Sequence, residues 1–138
     1  MKAVFFLSIL FLVFLLVACE QPSVRINDHT FALEFAKTPE EWERGLQHRT
    51  FLSSDKGMLF VFPFEKQQLF WMKDTLIPLD MMFISNNGTI TALYENVPPC
   101  VTEPCSTYAG MGKYVLEVNA GTANAQGIKV GDLVEIRI

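Results

Sequence analysis

Gly57-Met58-Leu59-Phe60-Val61-Phe62 is six consecutive residues without a charge. A strand with one wet face alternates apolar and polar side chains, and this one does not. It therefore reads as a central strand covered on both faces. Similar runs follow. Gln68-Leu69-Phe70-Trp71-Met72-Lys73 and Leu79-Asp80-Met81-Met82-Phe83-Ile84 read as strands, the second interrupted by an acid. Asn86-Asn87-Gly88 reads as a hairpin turn, because Asn and Gly tolerate positive φ, and it leads into a strand over 89–95. Tyr114 to Val118 is a strand with Glu117 inside it, and Leu133 to Ile138 closes the chain.

Before the central strand, 24–27 and 30–36 read as a hairpin around Asn27-Asp28-His29, with Phe31, Leu33 and Phe35 pointing one way. Thr38-Pro39-Glu40-Glu41 combines a capping box with proline at the first helical position. It predicts a helix to about His48, with Trp42, Leu46 and Arg49 on one face. Residues 96–113 read as a long loop, and Gly121 to Gly127 as a short helix or turn. The expected fold is mainly β (α+β), a small barrel or strongly curved sheet with one capping α-helix. Of the chain's twelve phenylalanines, the eight from Phe31 to Phe83 supply an ample core.

The N-terminus has a different character. Lys2 precedes an apolar run from Val4 to Val17, which ends in Leu16-Val17-Ala18-Cys19. This is the layout of a secretory signal peptide. Its last four residues match the bacterial lipobox, in which the cysteine becomes the lipidated first residue of the mature protein. The run is shorter than the ~20 residues that span a bilayer. Acyl chains contribute about 0.8 kcal/mol per buried methylene, so several on Cys19 would anchor the chain stably. The expected organisation is a lipoprotein signal peptide over 1–18, a tether over 19–23 and a domain over 24–138. The protein is expected to be exported and held on the membrane through acyl chains on Cys19, facing the periplasm or cell surface. Glu20, where an aspartate usually marks inner-membrane retention, slightly favours the outer membrane.

All 15 acidic residues and 10 of the 11 basic ones lie beyond residue 18, so the mature chain carries −5. With no basic run, nucleic acid is not an expected partner, because its binding rests on neutralising phosphates. Cys100 and Cys105 are close in sequence, and in an oxidising compartment they are expected to form a disulfide. A redox or metal pair is the other reading. The spacing is not Cys-x-x-Cys, and neither His29 nor His48 is near.

Several motifs together resemble the DUF192 family. They are Arg44-Gly45-Leu46, the 57–62 run, the string from Phe70 to Asp80 (Phe-Trp-Met-Lys-Asp-Thr-Leu-Ile-Pro-Leu-Asp), Tyr114 to Gly121, and Gly127 to Asp132. The resemblance covers about residues 24–138. Gln47 stands where the family commonly has Met. The resemblance implies a compact, β-rich, often exported domain and no established activity.

The candidate site comes from charges and aromatics on otherwise apolar strands. Trp71 and Lys73 are two apart and share a sheet face. Thr75 follows, Asp80 and Glu117 interrupt apolar strands, and Arg49 lies near the helix C-terminus. A buried acid needs a partner. These six residues could line a cleft for a small polar or anionic ligand, or for a sugar stacked on Trp71, with the 96–113 loop at its rim. Alternatively Asp80 and Glu117 pair with Arg49 and Lys73 only to hold the fold. No catalytic triad, metal constellation or phosphate loop is evident, and no cofactor is implied. Three functions remain open: an envelope module binding a small ligand or partner protein, a small hydrolase-like enzyme using Asp80 and Glu117 as acid and base, and a purely structural envelope protein.

Overall fold

The computed structural model describes residues 21–138. The expected signal peptide and the first two residues of the tether, the lipidated Cys19 among them, lie outside these residues. Nine elements follow one another: β1 (Ser23–Ile26), β2 (His29–Ala36), α1 (Pro39–Arg44), β3 (Lys56–Trp71), β4 (Leu79–Ile84), β5 (Ile90–Val97), β6 (Thr107–Asn119), α2 (Thr122–Gln126) and β7 (Val134–Arg137). The strands form one sheet in the order β5-β4-β6-β3-β2-β1-β7. Only the β2–β3 pair is parallel, and α1 lies in the connection between them. The sheet curls strongly into a half-barrel. Its two edges meet at one end, where Val134 donates to Gly88 O at 2.8 Å and Ile90 to Asp132 O at 3.0 Å.

The central run behaves as its composition requires. Met58, Phe60 and Phe62 enter one buried cluster, with Met81, Phe83 and Val115. Leu59 enters the other, with Met82, Leu116 and Val118. The second group collects side chains from all seven strands and from α2, so it is the interior of the curl. The first is the opposite face, roofed by Leu46, Leu52 and Met72 with Trp42 packed against it.

Three expectations change. The strands over 57–62 and 68–73 are parts of one 16-residue strand, β3, whose pairing with β6 is interrupted between Val61 and Lys66. The register shifts over Phe62 to Glu65, where Pro63 has no N–H to give the ladder, without ending the strand. The expected loop over 96–113 is shorter. β6 begins at Thr107, and Gly110 belongs to the strand because a Cβ there would lie 2.3 Å from Phe83 Cγ. That glycine lets β6 press onto the core. The helix also stops early. The capping box forms as expected, but α1 ends at Arg44, where Gly45 adopts φ 43° against the Phe60 ring. Trp42 and Arg49 therefore do not share one helix face.

Asp80 ties three segments together. One carboxyl oxygen accepts from Asn96 N at 2.8 Å and Gly121 N at 3.1 Å, and the other from Ala123 N at 2.8 Å. It is fully buried. We predict that Asp80→Ala, which removes the partner of three amides, the buried Ala123 N–H among them, costs about 3–5 kcal/mol in urea unfolding. A loss below about 1 kcal/mol would show that water or relaxation replaces the carboxyl.

Candidate functional site

A cavity of about 320 Å³ lies between α1 and the β3–β6 face. This is within the range that holds a small ligand. Its aromatic walls are Trp42, Phe60, Phe62 and Phe70. The rings pack against one another, Trp42 on Phe62 at 4.8 Å between centroids and Phe70 edge-on to Phe60 at 4.8 Å. Such packing fixes ring orientations. Trp42 is also held by its indole N–H, which donates to Ala36 O at 3.0 Å. The abrupt end of α1 puts Glu43, Arg44 and Gly45 on one side of the mouth. Leu69, Trp71, Lys73 and Thr75 stand on the other.

Glu117 is the acid of this cavity. It is 4% exposed, and no side chain or amide among the described residues hydrogen-bonds to it. Yet no fully occluded polar side-chain atom in these residues lacks a partner. The carboxyl oxygens must therefore reach the space of the cavity. Burial alone pushes its pKa up to about 8. Two further buried polar groups line the cavity. Gln68 donates its amide to Gly112 O at 3.2 Å, which leaves its carbonyl oxygen as an acceptor. Thr75 gives its hydroxyl to Lys73 O at 3.4 Å.

The six expected site residues divide. Trp71, Lys73, Thr75 and Glu117 line this cavity, whereas Asp80 and Arg49 do not. Asp80 stands across from Val118, and Met81 across from Glu117. Directly opposed residues share a face and successive ones alternate, so Asp80 and Glu117 point to opposite faces of the sheet. The acid–base pair of a hydrolase is thereby ruled out. The expected structural pairs also fail to form. Arg49 grips Glu34 at 2.9 and 2.6 Å and holds that carboxyl below its usual range. Lys73 pairs with Glu103 at 2.7 Å, and its ammonium stands 5.4 Å from the centre of the Trp71 ring. Glu103 belongs to the loop closed by the Cys100–Cys105 disulfide, which brings that loop to the cavity rim. Sequence reasoning missed Trp42 and Gln68. Gln68 carried a signal, being a neutral polar residue facing inward on a long apolar strand. Among the described residues no group of metal-ligating side chains could hold a metal ion.

The model of DUF192, described as "Uncharacterized ACR", matches residues 22–136, and the chain belongs to this family. Among curated proteins none matches. Similar solved structures include the following two. One is a protein of Sinorhizobium meliloti 1021 described as a "putative transcription regulator". It is 36% identical with TM-score 0.78, over 83% of this chain and 92% of that one. The other is a protein of unknown function from Novosphingobium aromaticivorans DSM 12444, 36% identical with TM-score 0.74, over 83% of both chains.

Glu117 makes stability depend on pH. Between its unfolded value of 4.5 and its folded value of about 8, the native state keeps a proton that the unfolded chain has lost. Stability therefore falls as pH rises through this window and levels off above it, a total on the order of 3–5 kcal/mol. Glu34, with its lowered pKa, acts in the opposite sense and below this window. We predict that Glu117→Gln flattens the decline between pH 5 and 8 in denaturant titrations. An unchanged slope would mean that Glu117 is ionised at neutral pH.

Proposed function

We propose that this protein is an exported, lipid-anchored DUF192 domain that binds a small ligand in the cavity between α1 and β3. The observation that carries the reading is Glu117, an acid buried without a partner and facing a cavity of ligand size. A group of this kind costs free energy on folding and contributes nothing to packing. In a purely structural protein an apolar residue would serve better. The net charge of −4 speaks against carrying over the regulator description of the Sinorhizobium protein, at least as contact with DNA. Anchoring through Cys19 rests on the lipobox. Among the described residues no helix is long and apolar enough to cross a membrane.

Two experiments test the two halves. A library of neutral, anionic and cationic envelope metabolites, screened by amide chemical shifts, should yield hits that perturb Trp42, Gly45, Phe70 and Glu117 together. Those hits should weaken roughly tenfold in Trp42→Ala, which removes one wall, and be unaffected by Arg49→Ala. Hits that scatter elsewhere, or none at all, would overturn the binding reading. In cells, labelled palmitate should enter the wild type and not Cys19→Ser, and an unlabelled wild type would overturn the anchor.

A further inference from the structure

We propose, on the reading that this cavity binds a small ligand, that its occupant is an organic ammonium, seated with its charged nitrogen against Glu117 and its apolar part among the aromatic walls.

Three independent features of the cavity agree on this class. The first is hydrogen-bonding character. Gln68 has committed one amide N–H to Gly112 O and Thr75 its hydroxyl to Lys73 O, so both present oxygen lone pairs. An ionised Glu117 adds acceptors only. Once Glu117 is ionised, the buried part of the cavity offers mainly acceptors, which suits a group that is all donor, as a protonated amine is. The second is the wall. Trp42, Phe60, Phe62 and Phe70 supply ring faces and edges around the acid, and the negative face of an aromatic ring attracts a cation. The third is the charge at the mouth. Glu43 and Arg44 offset one another there, and Lys73 is already matched by Glu103. No net positive charge at the mouth repels an incoming cation.

Glu117 would not face the ligand charged from the start. Burial raises its pKa to about 8, so at neutral pH it holds a proton. An arriving ammonium would displace that proton into solvent and convert a costly buried acid into a paired carboxylate. The charged groups around it are Glu43 and Arg44 from α1, Lys73 beyond the end of β3, and the Glu34–Arg49 pair across β3 on β2. β4 presents Met81. None of these approaches Glu117 closely enough to replace an ammonium, and desolvation is the sole cause of its shift.

The probe is benzylamine, compared with its neutral and anionic counterparts benzyl alcohol and benzoate, by calorimetry at pH 7 in two buffers of different ionisation enthalpy. Benzylamine is expected to bind roughly tenfold or more tightly than either comparator, as a charge-assisted bond and a cation facing rings would give. Its binding should release about one proton, as expected when a group with a raised pKa is ionised by its ligand. Glu117→Gln, which matches the protonated acid in shape, should abolish both the preference and the proton release. A thermal midpoint at pH 6 near that of the wild type would confirm that this variant folds. The proton count on wild-type protein needs no variant. Benzylamine binding without proton release, or no tighter than benzyl alcohol, would overturn the ammonium assignment. If benzyl alcohol or benzoate shifts the cavity amides while benzylamine does not, the assignment falls and the cavity remains a binding site. If no compound of any charge reaches these amides, both fall.

Discussion

β3 and β6 carry apolar side chains on both faces, and neither face can be left to water. This constraint organises the molecule. The inner face is satisfied by curling the sheet until all seven strands and α2 contribute to one core. The outer face needs a roof, and α1 with the segments around Leu52 and Met72 supplies it. A short helix roofs a long strand incompletely. The cavity lies where α1 ends and β3 continues, so the candidate site follows from the mismatch between a helix of six residues and a strand of sixteen.

Asp80 and Glu117 show how far register decides the fate of one chemistry. They sit on paired strands, one residue out of step, and so face opposite sides of the sheet. Asp80 enters the side where the chain turns into α2 and meets three amide N–H groups. There a carboxyl replaces backbone partners that turns leave open. Glu117 enters the roofed side, where the backbone amides of β6 are already used in the sheet and the neighbouring Gln68 and Thr75 donate to backbone carbonyls instead of to it. The same functional group is a structural tie on one face and an unsatisfied acid on the other.

This is also the limit of what could be read from the amino-acid sequence. The mainly β, strongly curved fold was legible because the 57–62 run has no polar side, and the capping box marked the start of α1 correctly. The disulfide was legible from two neighbouring cysteines. The length of β3 was not, because the stretch between Phe62 and Gln68 looks like a break and holds a register shift within a continuing strand. The start of β6 was hidden by Gly110 and Gly112, which read as loop residues but are required by close contacts with Phe83 and the Ile84 backbone. The site was half legible. Charges on apolar strands pointed to Lys73 and Glu117, but which face each acid occupies depends on pairing with a strand some 35 residues away. Trp42, Phe60 and Phe62 carry no signal apart from core, since a wall of a cavity and a wall of a core have the same composition.

The two ends of the cavity differ in physical character, and this bears on where selectivity resides. At the mouth, Lys73 and Glu103 form an exposed ion pair, with the lysine beside a half-exposed Trp71. Such pairs are weak and screened by salt, so the mouth can yield to ligands of different shape. The floor is fixed. Phe60 is buried and locked edge-on against Phe70, Gln68 is anchored to Gly112, and Glu117 is held by β6, which is paired on both sides. Charge is also felt more strongly there, because water is largely excluded. On the proposed binding reading, discrimination between ligands rests with Glu117 and its surroundings. On that same reading the rim governs entry, and a change at Lys73 would alter how ligands arrive more than which ligand is held.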